Sequence, residues 1–256
     1  MNLFYLLEHQ VSQHPDKTAL IDGKCGRERE INYSDFLKHV HSKSHDLHLS
    51  GITEGSNVLV MIPMRMELYI TLLALWHLGA TALFLNPLAG RKHIRACCNM
   101  ILPQAIVGMP GARWLSLLHG ALLRVPVKHY WRFKNAQVGH EHEKPAALVP
   151  KEQPAILSFT SGSTGTPKAA IRTHGLLQAQ YSALRPVLDA REDDLDLATM
   201  PIFVLMNLAT GISTLIPDAN LSKPGFIRPN PVLKQIQHYQ PTRTIASPSF
   251  LRRLHD

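Results

Sequence analysis

The sequence predicts an α/β fold: two βαβ-type subdomains whose mostly parallel strands are flanked by helices. Three observations carry this reading. Short continuous apolar runs, such as residues 58–62 and 105–108, suit strands buried on both faces. Longer stretches with helical character separate these runs. Gly, Pro and Asn stand at the junctions, as at Gly79 and Asn86-Pro87.

Taken in order, residues 57–63 read as a strand, 64–78 as a helix and 80–85 as the next strand. A helix over 91–100, a strand over 104–109 and a helix over 114–123 continue the alternation. Residues 135–153, NAQVGHEHEKPAALVPKEQ, are polar and Pro-containing and read as a linker. The pattern then resumes with a strand over 154–160, a hydroxyl-rich loop and a helix over 174–188. A strand over 195–200, a helix over 204–215 and a strand over 242–246 follow. A helix begins at Leu251 and is cut after about one turn. The expected organisation is therefore a first subdomain at 1–134, a linker at 135–153 and a second subdomain at 154–256, truncated at its C-terminus.

Bulk properties narrow the function classes. With 45% hydrophobic and 18% charged residues over 256 positions, the chain is globular and can bury a core without staples. A net charge of +8 points to an anionic partner, but the basic residues form only short pairs such as Arg91-Lys92. No basic stripe is interleaved with aromatics, so no nucleic-acid partner is expected. Cys25, Cys97 and Cys98 do not make a disulfide framework, which suits a reducing cytoplasm. Residues 68–90 carry no Asp, Glu, Lys or Arg and approach membrane-span length. Gly79 divides them, and a buried helix plus strand is expected there rather than a stable membrane span.

The stretch from Thr160 to Lys168, TSGSTGTPK, is the strongest functional signal. Thr160, Ser161, Ser163, Thr164 and Thr166 supply hydroxyl donors. Gly162 and Gly165 let the backbone approach a ligand closely. Successive backbone N–H groups in such a turn form a concave anion site, and Lys168 adds a full positive charge. A plain surface turn would not need so many hydroxyls beside a lysine. The loop is not of Walker A type, because Pro167 stands where that pattern has Gly, and Ala169 follows Lys168. The sequence places it directly after a strand, at the end of a parallel sheet, where α/β proteins bind ligands.

The same stretch resembles the signature loop of the adenylate-forming superfamily, which includes acyl-CoA synthetases, roughly [ST]-S-G-[ST]-T-G-x-P-K-G. The departure is Ala169 in place of the last Gly. Residues 54–87 are similar to that family's early G-D-x-V to L-x-N-P region, and residues 199–211 to its P-L-F-H segment, with Val204 in place of the frequent His. That departure, the run 213–231 and Ala246-Ser247-Pro248 are similar to the branch of olefin-biosynthesis ligases that form β-lactones from β-hydroxy fatty acids.

The resemblance implies an incomplete N-terminal domain of the adenylate-forming fold. It implies ATP-dependent, Mg2+-dependent activation of a carboxylic acid, fatty or β-hydroxy fatty, to an acyl-adenylate with release of pyrophosphate. Transfer to a thiol, such as coenzyme A, or to an internal hydroxyl would follow. It assigns ATP phosphates to Thr160, Ser161, Gly162, Ser163, Thr164, Gly165, Thr166 and Lys168. It makes Phe203, Val204, Met206, Gly211 and Ser247 candidates for acyl contact. The family's ribose-binding Asp and catalytic Lys have no counterpart here, so no catalytic residue and no metal ligand is assigned. The expectation is a fragment inactive alone, served by the C-terminal half in trans. The competing reading is a non-catalytic or vestigial nucleotide-binding protein.

Other features read more plainly. His39, His41, His45 and His48 form a solvated helix face rather than a metal site, since no H-E-x-x-H pattern accompanies them. Cys97-Cys98 reads as packing on a helix. His174, after Thr173, reads equally as a helix start, a support for ligand-contacting groups or a ligand contact.

Overall fold

The computed structural model describes residues 2–86, 89–131, 145–161 and 167–255. The elements run α1 (Phe4–Gln13), β1 (Thr18–Lys24), β2 (Arg27–Asn32), α2 (Tyr33–Leu49), β3 (Asn57–Met61), α3 (Met66–His77), β4 (Thr81–Phe84), α4 (Arg91–Ile101) and β5 (Ala105–Gly108). They continue α5 (Ala112–Leu118), α6 (Gly120–Leu123), β6 (Val127–Tyr130), β7 (Pro154–Ser161), β8 (Pro167–Thr173), α7 (His174–Leu188) and β9 (Leu195–Ala198). The last are α8 (Pro201–Thr210), β10 (Ser213–Leu215), a 3-10 turn (Pro224–Phe226), α9 (Pro229–Tyr239), β11 (Arg243–Ile245) and α10 (Pro248–His255).

Two compact units emerge. One holds residues 1–5, 38–63 and 67–180, the other 6–37, 64–66 and 181–256. The contacts therefore divide the chain elsewhere than at the expected linker 135–153. The reason is strand pairing. β7, read from the sequence as opening a second subdomain, pairs in parallel with β4, placing Ile156 beside Ala82 and Leu157 beside Leu83. Of that linker, residues 135–144 lie outside the described residues.

In the first unit the sheet order is β6-β5-β3-β4-β7-β8, parallel except at β7–β8. Leu59, Leu83, Ile106 and Leu157, one from each central strand, pack with Ile94 and Cys98 of α4 and Leu122 of α6. This is the expected use of continuous apolar strands. Cys97 and Cys98 are buried, and burial pushes the Cys97 thiol up to about 11, so the pair serves packing. α3 is buried along most of its length, and among the described residues no helix is long and apolar enough to cross a membrane. The helix expected over 114–123 is two, α5 and α6, because extended backbone at His119 interrupts it. On α2, His45 and His48 are exposed, whereas His41 packs against Phe4 and His77 with ring centroids 5.7 and 5.2 Å away.

At the start of α7, Thr173 Oγ1 accepts the Leu176 N–H at 3.1 Å and caps the helix. His174 is buried, and its Nδ1 accepts the Leu3 N–H at 3.3 Å. Its ring meets the Trp76 ring edge-on at 5.9 Å. Burial lowers this imidazole to about 4, so it stays neutral and acts as a fixed acceptor.

In the second unit the sheet order is β11-β9-β10-β1-β2, parallel except for the β1–β2 hairpin. The helix expected over 204–215 runs instead from 201 to 210. Gly211, at φ 81°, caps it in the left-handed region, and β10 follows. The final helix starts at Pro248, three residues before the expected Leu251. Beneath the sheet lies a buried polar knot. Asn207 Nδ2 donates to Asp196 Oδ2 at 2.7 Å and to Thr214 Oγ1 at 3.0 Å. The Tyr33 hydroxyl donates to the Asn207 carbonyl at 3.2 Å. Burial raises the Asp196 carboxyl, and the Asn207 hydrogen bond works against that rise.

Two stability outcomes follow from these contacts. Asn207→Leu strands Asp196 and Thr214 without their shared donor and is expected to lower the unfolding free energy by about 2–4 kcal/mol in chemical denaturation. A loss under about 0.5 kcal/mol would mean the knot is not structural. For His174, the unfolded chain takes up a proton near 6.5, which the folded ring refuses until about 4. Its stabilising contribution is therefore complete above that upper value and is lost as pH falls through the window, up to about 3 kcal/mol. His174→Asn keeps an acceptor for the Leu3 N–H and should flatten the slope of stability between those pH values. An unchanged slope would show that another group governs it.

Candidate active site

The phosphate-loop candidates sit on and between β7 and β8. β7 alternates, with Ala155 and Leu157 buried and Thr160 exposed. β8 runs antiparallel to it, with Phe159 opposite Ala169, Thr160 opposite Lys168 and Ser161 opposite Pro167. Directly opposed residues share a face. Leu157 and Ala169 lie on the face packed against the core cluster. Ser158, Thr160 and Lys168 belong to the other face.

This corrects one expectation. The loop does not lead from a strand directly into a helix; it joins two antiparallel strands, and α7 begins only at His174. β8 was hidden in the sequence because KAAIRT mixes small, charged and apolar residues without strong alternation. Ala169, the departure from the glycine of the signature, sets its methyl against the core, so this strand has room for it.

Thr160 and Lys168 are thus brought together. The Thr160 hydroxyl donates to the Lys168 carbonyl at 3.5 Å, and Arg172 Nη1 donates to Ser158 Oγ at 3.2 Å farther along the hairpin. Lys168 is exposed, and the hairpin presents a cation and a hydroxyl beside each other next to its connecting loop. Such a pair suits an anion approaching from solvent. Gly162, Ser163, Thr164, Gly165 and Thr166 lie outside the described residues, as does the side chain of Ser161. Among the described residues no group of three His, Cys, Asp or Glu is placed to hold a metal ion.

The acyl-contact candidates belong to the second unit. Val204 and Met206 are buried in α8, and Phe203 is half-buried. At Gly211 the positive φ favours glycine; a Cβ there would lie 2.6 Å from Gln10 Oε1, the far end of a side chain that can shift. Ser247 Oγ accepts the Phe250 N–H at 3.3 Å and caps α10. Of the five, Met206 lines a cleft of about 330 Å³ with Gln10, His14, Arg185, Asn207 and Thr210. That lining is largely polar. Sequence reasoning missed Asn207, whose signal was a lone amide inside the apolar run PIFVLMNLAT.

Comparisons with known proteins identify the family. Residues 7–256 match the family described as AMP-binding enzyme. An olefin beta-lactone synthetase of Xanthomonas campestris pv. campestris is 25% identical over 276 aligned residues, covering 100% of this chain and 49% of that protein. One from Stenotrophomonas maltophilia is 28% identical over 213 residues, covering 79% of this chain and 38% of that protein. The chain spans about half the length or less of these relatives. A solved Mycobacterium tuberculosis fatty acyl CoA synthetase superposes with a TM-score of 0.82 at 15% identity, covering 100% of this chain and 51% of that one. The chain belongs to the AMP-binding enzyme family.

Proposed function

We propose that this chain supplies the phosphate-binding hairpin of an enzyme that activates a carboxylic acid with MgATP. A carboxylate oxygen attacks the α-phosphorus, the bond from that phosphorus to the bridging oxygen breaks, and pyrophosphate leaves. A nucleophile then attacks the acyl carbon, loses its proton and releases AMP. The acid in this reading is a fatty or β-hydroxy fatty acid, and the nucleophile is a thiol such as coenzyme A or the substrate's own β-hydroxyl. The internal hydroxyl is favoured by the likeness to the two beta-lactone synthetases.

One observation carries the reading: Lys168 and Thr160 stand opposite each other on one face, at the two ends of a loop with the superfamily signature. Hydroxyls, backbone N–H groups and the Lys168 ammonium would meet the β- and γ-phosphates and stabilise charge growing on departing pyrophosphate. Mg2+ would enter on the phosphates, as it does where few carboxylates hold it. The acyl chain is assigned to Phe203, Val204, Met206, Gly211 and Ser247. A reducing cytoplasm suits the free thiols of Cys25, Cys97 and Cys98.

Calorimetric titration with ATP and with adenosine tests the hairpin. Lys168→Ala should weaken ATP binding roughly tenfold or more and leave adenosine binding unchanged. Equal ATP affinity in wild type and variant would remove Lys168 from the phosphate site. Acid-dependent exchange of labelled pyrophosphate into ATP, assayed with the chain alone and with the C-terminal half of a relative added, tests the chemistry. ATP binding with no exchange under either condition would favour a nucleotide-binding protein without catalysis.

A further inference from the structure

From Leu68 to Trp131 the sequence holds no aspartate or glutamate, yet it carries Arg91, Lys92, Arg95, Arg113, Arg124 and Lys128. All six of these side chains are exposed. The structure gathers them on α4, α5 and β6 and, for Arg124, just after α6, and α6 packs against both α4 and α5.

The same surface is unusually apolar. Trp114 is 73% exposed, Leu102 69% and Leu118 60%, with Leu117 and Leu123 also exposed. Arg91, Arg95, Leu102, His119, Leu123 and Arg124 line an open groove of about 670 Å³. Leu118 adjoins His119, which ties this groove to α5. There Arg113, Trp114 and Leu117 border a second hollow of about 540 Å³. Large apolar tips set among arginines, on elements that themselves carry no acid, call for a partner that offers hydrocarbon and negative charge together.

We propose that the α4–α5–α6 surface docks on an anionic lipid bilayer. Phosphate head groups would pair with Arg91, Arg95, Arg113 and Arg124. Trp114, Leu117 and Leu118 would enter the boundary between head groups and acyl chains, where an indole finds both an apolar medium and a hydrogen-bond acceptor. A second copy of this chain suits the surface poorly, because two such faces would oppose cation to cation. A nucleic acid offers phosphates but little hydrocarbon for four exposed leucines and a tryptophan.

The test uses the chain with vesicles of phosphatidylcholine alone and of equal parts phosphatidylcholine and phosphatidylglycerol. Co-sedimentation should occur with the anionic vesicles at low salt and fall away in roughly half-molar salt. Trp76 and Trp131 are buried, so a blue shift of tryptophan emission on binding reports Trp114 and should vanish in Trp114→Phe. Arg91→Ala, Arg95→Ala and Arg124→Ala together should weaken partitioning roughly a hundredfold. Leu117→Ser with Leu118→Ser should weaken it separately, with folding of each variant checked by circular dichroism. Absence of binding to anionic vesicles, or binding unmoved by both sets of substitutions, would overturn the proposal. Binding to heparin without binding to vesicles would also overturn it and assign the surface to a soluble acidic partner.

Discussion

The parallel pairing of β7 with β4 is the constraint on which the placement of the signature loop's two ends depends. A two-stranded hairpin alone is marginal in water. β7 and β8 would have only each other without β4, and nothing would fix the direction in which their loop points. Pairing Ala82 with Ile156 and Leu83 with Leu157 anchors β7 to a sheet buried by α4 and α6. The core face of the hairpin then takes Leu157 and Ala169. The opposite face, with Thr160 and Lys168, is what remains for a ligand. Strand alternation converts a packing requirement into the presentation of a cation beside a hydroxyl.

Much of the first unit was legible in the sequence for one reason. Central strands buried on both faces need unbroken apolar runs; β3, β4 and β5 supply them, and β7 does so over its first half, Ala155 to Leu157. Edge strands carry no such requirement. β6 and β8 lie at the two edges of their sheet and β2 at an edge of the other, and none was anticipated. Overlooking β8 made the signature loop look like a strand-to-helix turn. The division into units was hidden as well, because it depends on which strand β7 chooses, and composition does not encode that choice. α8 was extended too far because the apolar run continues past Thr210, although Gly211 already held the stop signal.

Of the candidate site, the loop was visible as an excess of hydroxyls and glycines beside a lysine. What could not be read was the register that sets Lys168 opposite Thr160. The acyl candidates were named from resemblance, and they prove to be of different kinds: two buried helix residues, a half-buried ring, a cap glycine and a capping serine. The polar knot of Asp196, Asn207 and Thr214 joins residues 11 and 7 positions apart across the β9–α8–β10 crossover, and it forms through β9–β10 pairing, which no local pattern announces. A buried carboxyl held by one amide gives α8 a fixed seat, so the helix carrying Val204 and Met206 is braced by polar contacts as well as by packing.

The central claim is that the 160–168 hairpin receives phosphate. Hydrogen–deuterium exchange read by peptide mass across the chain, with ATP, pyrophosphate or adenosine added, addresses it most directly. The account predicts slowed exchange in peptides spanning Thr160 to Lys168 with ATP and with pyrophosphate, and none there with adenosine. Protection confined to other segments, or equal protection by adenosine, would contradict it.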